Sequence, residues 1–261
     1  AAYGTEKFMD YGFMEAMMRS TTLPARDLWY SEGHINYYYG GQYFAVFLTK
    51  LSHTKVELTY NLMRTFVAGL AFAMPFSLVY QMMSDRMKGL QKSEKVIKGL
   101  PFAAGFTAGT AVSIAGNMHY VIYAQIIPLI EKLTGKEVSS YWFPDATRYI
   151  GYNPYREEDR TIHEFPCYSF VLGDLHAHVV NIMFVLLVIA LLYVWLRGVR
   201  KKTVPVETSM KDGKFWKEQL LMPHLLVISA LLGMFQWTNF WDFVIYYVVT
   251  LGTVLFANII R

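Results

Sequence analysis

Long apolar runs restrict the fold of this chain more than any other feature of its sequence. A membrane-spanning helix needs about 20 consecutive, mainly apolar residues. Of the 261 residues, 54% are hydrophobic and only 17% are charged, which is typical of polytopic membrane proteins with polar loops. We therefore predict an all-α, polytopic transmembrane bundle of about five spans, forming a single module over residues 1–261. The predicted spans are residues 56–83, 100–122, 178–196, 220–235 and 240–260.

The composition also restricts the partners of the chain. The formal net charge is +4, and the basic residues cluster in two loops, so we expect the lipid bilayer as a partner and no nucleic acid. The single cysteine, Cys167, excludes an internal disulfide framework. The sequence begins without Met in a polar segment and stops directly after an apolar run. We therefore expect a piece of a longer protein, with at least one helix upstream.

The charges of the loops predict how the spans are oriented. The loops at 85–98 and 197–218 are rich in Lys and Arg, and both should be cytoplasmic under the positive-inside rule. A further apolar stretch, 37–51, is short and interrupted by glycines. It either crosses the membrane or lies in the interface, and we favour the interface. Residues 1–55, with interfacial helices, and residues 123–177 are then the first and second outer loops.

The N-terminal segment has the pattern of an amphipathic helix. Apolar residues fall near helical spacing between Phe8 and Met17, with acidic residues among them. Two interpretations are open. The segment is a helix on the membrane surface with solvated charges, or its carboxylate at Asp10, or at Glu6 one turn earlier, faces a substrate.

Three consecutive tyrosines, Tyr37, Tyr38 and Tyr39, precede two glycines in the first outer loop. Three neighbours cannot all face one side of a helix. They form either an interfacial aromatic belt or a stacking and hydrogen-bonding surface for a sugar or lipid head group. Asn36 and His34 would belong to the same surface.

Two arginines are candidates for binding phosphate. Arg148 lies among aromatic residues of the second outer loop, and Arg64 lies about two turns inside the first predicted span. A guanidinium group suits phosphate, and an intramembrane arginine is a functional candidate by default. The alternative for Arg148 is a snorkelling or salt-bridged loop residue. The alternative partner for Arg64 is one of the outer acids.

The segment before the third predicted span carries Asp174, His176 and His178 at alternating positions. If this segment is extended, the three side chains point one way and form a ligand set for a divalent metal, Mg or Mn before Zn. If it is helical, they diverge and serve only as a polar start to the helix. Glu164 and His163 add to the same cluster.

Asp242 lies near the turn between the last two predicted spans, where it either caps a helix or reaches the outer site. The sequence has no glycine-rich nucleotide loop, nucleophile elbow, paired-cysteine metal site or internal repeat. A soluble nucleotide-dependent enzyme is therefore not expected.

Five motifs in this order resemble the prokaryotic YYY membrane protein family (Chlor_Arch_YYY), a domain of unknown function. They are "GTEKFMD", "INYYYGGQY", "TRYIG", "EFPCYSFVLGDLHAH" and "TNFWD". The resemblance covers nearly the whole chain, although the family usually has proline where Ala25 stands. Through this family the chain is similar to the GT-C glycosyltransferases, whose fold is a transmembrane bundle with paired interfacial helices in the first outer loop.

The resemblance implies a membrane enzyme in a prokaryotic plasma membrane that uses a polyprenyl-phosphate-linked sugar. Asp10 and Glu6 match the acidic position that such enzymes carry in the first outer loop. The expected reaction is sugar transfer to an unknown acceptor at the outer face, with inversion at the anomeric carbon. The alternatives are a non-catalytic protein that binds or moves a lipid-linked polymer, and a membrane metal-dependent hydrolase built on the predicted metal ligands.

Overall fold

A computed structural model describes residues 7–88, 90, 93–148, 152, 155, 156, 160–200 and 222–259 of the chain. All regular structure among these residues is helical, which confirms the predicted all-α class. The elements are α1 (Lys7–Arg19), α2 (Gly40–Leu51), α3 (Val56–Met87), α4 (Glu94–Ser113), α5 (His119–Val121), a π-helical segment (Ile122–Ile126), α6 (Ile127–Leu133), a 3₁₀ helix (Phe143–Thr147), α7 (Pro166–Leu172), α8 (Ala177–Arg200), α9 (Pro223–Thr238) and α10 (Phe240–Ile259).

Three helices are long and apolar enough to cross a membrane: α3, α8 and residues Phe240–Ala257 of α10. They coincide with three of the five predicted spans. The predicted span at 220–235 corresponds to α9, an apolar helix of 16 residues. The predicted span at 100–122 differs most from its helix, because α4 already ends at Ser113. The chain then turns through Gly116 and Asn117, whose side-chain amide donates to the carbonyl of Ala146.

Helices α3 and α4 form an antiparallel pair with close backbone contact. A Cβ atom built on Gly105 would lie 2.8 Å from the carbonyl oxygen of Phe76, and one on Gly109 would lie 2.9 Å from that of Phe72. Glycine at these positions therefore lets the helices approach more closely than any side chain would permit, as is common between membrane helices. The contacts between the two helices lie in the part of α3 beyond its first turns.

Helices α8, α9 and α10 form the second part of the bundle. Val188 and Leu192 of α8 are buried with Ile228 and Phe235 of α9. Further along α8, Trp195 is buried beside the end of α10. The buried side chains recur every three or four residues, so each helix presents one apolar stripe to its neighbours.

Helix α2 lies across one end of this bundle. Its first residue, Gly40, packs against Thr238 at the end of α9, and Thr49 near its end donates a 2.7 Å hydrogen bond to Thr59 in the first turn of α3. Twelve residues of helix extend about 18 Å, which is shorter than the roughly 30 Å hydrocarbon core of a bilayer. Helix α1 packs on α2 in a shared core, so both helices close the same end of the bundle.

Candidate functional site

Asp10 is fully buried on the apolar face of α1. Phe13, Met14 and Met17 are also buried, and their spacing of three, four and seven residues from Asp10 places all four on one helix face. The side-chain amide of Gln42 in α2 donates a 2.8 Å hydrogen bond to Oδ1 of Asp10. The interpretation of α1 as a surface helix with solvated charges is therefore wrong for Asp10. Glu6, the other candidate, lies outside the described residues.

The segment between α7 and α8 places Asp174 and His176 beside Asp10. Gly173 ends α7 with a positive φ of 74°, and the amide groups of Gly173 and Asp174 both donate to the carbonyl of Ser169. The chain is then irregular until α8 starts at Ala177. Within this segment Leu175 is fully buried, and His176 Nδ1 lies 3.0 Å from Asp174 Oδ2.

Asp10, Asp174 and His176 form a compact group, which we call the acidic cluster. One nitrogen or carboxylate oxygen from each residue lies within 4.8 Å of those from the other two. Two buried oxygens, Oδ2 of Asp10 and Oδ1 of Asp174, have no hydrogen-bond donor among the described residues. Two carboxylates so close together need a compensating charge, which a proton, an imidazolium or a cation supplies.

The pKa values of the two carboxyl groups move apart. Burial raises the pKa of Asp10 to about 7, His176 opposes the shift, and the nearby charge of Asp174 adds to it. Burial also acts to raise the pKa of Asp174, but the hydrogen bond with His176 and the charge of that imidazole outweigh it and hold the pKa below its ordinary value. Asp10 is therefore the member of the acidic cluster that gains or loses its proton near neutral pH.

The acidic cluster fits a divalent cation. The two buried oxygens without donors, one from Asp10 and one from Asp174, are free acceptors for a metal, and His176 adds an imidazole nitrogen. Two carboxylates and one imidazole suit Mg²⁺ or Mn²⁺, with water completing the coordination. This group contains Asp174 and His176 of the ligand set predicted from the sequence, with Asp10 as its third member instead of His178.

His178 lies beside the acidic cluster and faces Glu164. It is the second residue of α8, whereas Asp174 and His176 precede that helix. Its ring stacks on His176 with centroids 5.5 Å apart, and its Nε2 lies 3.5 Å from Oε2 of Glu164. These three side chains, with Tyr37 and Ile162, line an open cleft of about 430 Å³.

The three tyrosines lie just before α2, outside any helix, and their rings contact different neighbours. The edge of Tyr37 meets His176, with centroids 6.4 Å apart, and Tyr39 packs edge-on against Trp237. Tyr38 contacts Tyr37. A second cleft of about 390 Å³ adjoins the first, and its lining is Asn36, Tyr37, Tyr38, Gln236 and Trp237.

Arg64 lies directly against the turn that carries the acidic cluster. Its guanidinium group fills the space where Gly173 has no side chain, and its Nη1 donates a 3.0 Å hydrogen bond to Asn61. Its buried Nε has no acceptor among the described residues. Arg64 therefore packs against the turn at Gly173. Its Nε remains a hydrogen-bond donor with no acceptor in the described part of the chain.

Arg148 and Asp242 make contacts elsewhere. Arg148 stacks over the ring of Trp142 at 4.5 Å and donates to the carbonyl of Pro144, which ties it to its own 3₁₀ helix. Asp242 accepts a 2.6 Å hydrogen bond from Asn181 and a 2.8 Å bond from Asn239. It therefore joins α8 to α10.

Two buried polar residues were absent from the sequence prediction. Gln42 binds both Asp10 and the carbonyl of Leu175, and Asn181 accepts from Thr238 while it donates to Asp242. Both are amides inside otherwise apolar segments. A single amide side chain in an apolar segment was the signal in the sequence, because a buried amide requires hydrogen-bond partners.

Comparison with known proteins gives one match. The model of a family described as uncharacterized membrane protein (DUF2298) matches residues 1–261, the whole chain. No curated protein and no solved structure matches.

Proposed function

Because the chain belongs to the DUF2298 family of uncharacterized membrane proteins, we propose a function from the chemistry of its acidic cluster. The protein transfers a sugar from a polyprenyl-phosphate donor to an acceptor hydroxyl at the outer face of the plasma membrane. The observation that carries this proposal is the buried carboxyl group of Asp10, joined to Asp174 and His176 beside an open cleft lined by Tyr37. His176 lines that cleft and connects it to the two carboxyl groups, and buried, mutually perturbed carboxyl groups next to a cleft are typical of catalytic sites.

In the proposed reaction, the acceptor oxygen attacks the anomeric carbon of the sugar. The bond from that carbon to the phosphate oxygen breaks, and polyprenyl phosphate leaves with the electron pair. The acceptor proton moves to the carboxylate of Asp10, whose pKa of about 7 suits a general base near neutral pH. Displacement in one step inverts the anomeric configuration.

The leaving phosphate needs positive charge or hydrogen-bond donors nearby. His176 and His178 lie at the N-terminal end of α8, where the helix dipole favours an anion. Arg64 has an unused Nε donor below the same turn. A divalent cation held by Asp10, Asp174 and His176 would supply further stabilisation of the phosphate charge, and Asp10 would then act as a ligand. One such donor contributes about 3 kcal/mol in transition-state stabilisation.

The charges at the two ends of the bundle support the proposed location of the acidic cluster at the outer face. The acidic cluster lies at the end formed by the starts of α3 and α8. The opposite end carries Arg86, Lys88, Arg197 and Arg200 near the ends of the same helices. The positive-inside rule assigns this basic end to the cytoplasm.

The test is sugar transfer by purified protein from polyprenyl phosphate carrying radiolabelled glucose, galactose or mannose, in a lipid extract as acceptor source. We expect Asp10→Asn and Asp174→Asn to reduce transfer at least 100-fold, and Glu15→Gln on the same helix α1 to retain it. Transfer that persists in Asp10→Asn contradicts the proposal. Loss of transfer with unchanged donor binding separates catalysis from lipid binding alone.

A metal-dependent hydrolase is the second candidate. The acidic cluster brings two carboxylates and one imidazole within 4.8 Å of one another. A metal held by these groups would activate water, and hydrolysis by that water needs no sugar acceptor. In that case the label leaves as free sugar in water and no labelled lipid or polymer forms. The same assay therefore distinguishes the two functions by the product.

A further inference from the structure

The end of the bundle opposite the acidic cluster carries a second large cavity, between α3 and α8. Its volume is about 870 Å³. Its lining combines apolar residues such as Val79, Met83 and Leu196 with a cationic rim. Along the chain the lining extends from Val79 in α3 to Lys88 just after it, nine positions apart, which corresponds to about 14 Å at the helical rise.

The rim has more positive than negative charge. Asp85 is the single acid among the lining residues. It pairs with Arg197 at 2.9 Å and with Lys88 at 2.8 Å, and it accepts a 2.9 Å hydrogen bond from Tyr193. The carboxylate of Asp85 is thus fully engaged by its neighbours.

Arg86 and Arg200 line the same cavity, and neither has a counter-ion in the described part of the chain. Neither has a hydrogen-bond or ion-pair partner among the described residues, and both are exposed. The ends of α3 and α8 attract cations through their helix dipoles, which explains why arginines gather there. As far as the described residues show, both guanidinium groups are therefore available for an anion from outside the chain.

We propose that this cavity binds an anionic phospholipid of the bilayer, with its head-group phosphate between Arg86 and Arg200 and an acyl chain against Val79 and Met83. Both flanking helices are candidate membrane spans, so bilayer lipid is the nearest source of a ligand that is both anionic and apolar. Basic pockets between membrane helices on the cytoplasmic side recognise anionic head groups in this way. The apolar half of the lining favours a lipid over free phosphate, which has no acyl chain to bury.

The experiment is native mass spectrometry of the detergent-purified chain, titrated separately with phosphatidylglycerol, phosphatidylcholine and inorganic phosphate. We expect phosphatidylglycerol to bind at least tenfold more tightly than phosphatidylcholine. Arg86→Gln with Arg200→Gln should weaken phosphatidylglycerol binding about tenfold to thirtyfold, and raised salt should weaken wild-type binding. The charge-matched control is Lys132→Gln with Lys136→Gln on the exposed region around α6, which should bind as wild type does.

A second variant tests the charge independently of folding. Arg86→Lys with Arg200→Lys keeps both positive charges and should retain most of the preference for phosphatidylglycerol. Equal binding of phosphatidylcholine and phosphatidylglycerol by the wild type overturns the proposal. The proposal is also overturned if the Arg→Gln pair and the Lys→Gln control pair weaken phosphatidylglycerol binding equally. Binding of inorganic phosphate as tight as that of phosphatidylglycerol would overturn it as well.

Discussion

The side-chain amide of Gln42 donates one hydrogen bond of 2.8 Å to Oδ1 of Asp10 and another of 3.1 Å to the carbonyl oxygen of Leu175. The two bonds connect α1, α2 and the turn before α8 through a single buried nitrogen. The position of Asp10 relative to Asp174 therefore depends on α2, although α2 contributes no residue to the acidic cluster.

Gln42→Leu should destabilise the protein by about 1–3 kcal/mol, because the substitution leaves two buried acceptors without their donor. Thermal unfolding in detergent measures the effect. Gln125→Leu is the control, since that glutamine is exposed and donates only to Tyr120. Equal stability of Gln42→Leu and wild type would show that water replaces the lost amide.

Folding stability should fall as pH rises from about 4 to about 7 when metal is chelated. In this window the folded state keeps the proton of Asp10, whose pKa is raised to about 7, while the unfolded state releases it near its ordinary pKa. The lowered pKa of Asp174 acts only at more acidic pH, where its stabilisation is lost. Denaturant unfolding across this pH range should show the decline in wild type and a flatter curve in Asp10→Asn.

Mn²⁺ should bind one site per chain and raise the unfolding temperature. Calorimetric titration measures the binding without any activity assay. Asp10→Asn and Asp174→Asn should each weaken it at least tenfold, because each removes one charged ligand, while Glu15→Gln leaves it unchanged. His178→Ala should have a smaller effect than His176→Ala, since His178 lies outside the acidic cluster. If His178→Ala weakened Mn²⁺ binding more than His176→Ala, the result would support His178 as a ligand, as the sequence predicted.

Gly173→Ala should disturb the turn that carries Asp174. The new Cβ would collide with the guanidinium group of Arg64, in addition to the cost of a positive φ. Gly135→Ala is a matched control, because Gly135 has a φ of 71° and open space around it. We expect about 1–2 kcal/mol of destabilisation for Gly135→Ala and a larger loss for Gly173→Ala. Part of the difference should disappear when Arg64→Ala is added.

Gly109→Ala should destabilise the pair of α3 and α4. Its Cβ would lie 2.9 Å from the carbonyl oxygen of Phe72, so the helices must separate. Gly99→Ala on the same helix meets nothing within 4 Å and should be neutral or stabilising, because alanine has the higher helix propensity. Unfolding of the two variants in detergent compares them directly. A loss of about 1–3 kcal/mol is expected for Gly109→Ala.

The sequence by itself determined the membrane class of the protein and the positions of its most apolar helices, α3, α8 and α10. Hydropathy over about 20 residues is a local property, so it can be read without knowing the fold. It overestimated the extent of α4, because apolar composition continues past Ser113 while Gly116 and Asn117 turn the backbone. The pairing of Asp174 with His176 was also local, since the two residues lie two positions apart in the irregular segment before α8.

Only the tertiary structure brought Asp10 to that pair and excluded His178 from it. The sequence allowed Asp10 to be either solvated or directed at a site. The helical spacing of the apolar residues around it is the same in both cases and does not distinguish them. The packing of α1 on α2 decided between them by burying the face that carries Asp10, where the amide of Gln42 satisfies one of its oxygens. Contacts between segments far apart in the chain, which no local pattern encodes, therefore fixed the composition of the acidic cluster.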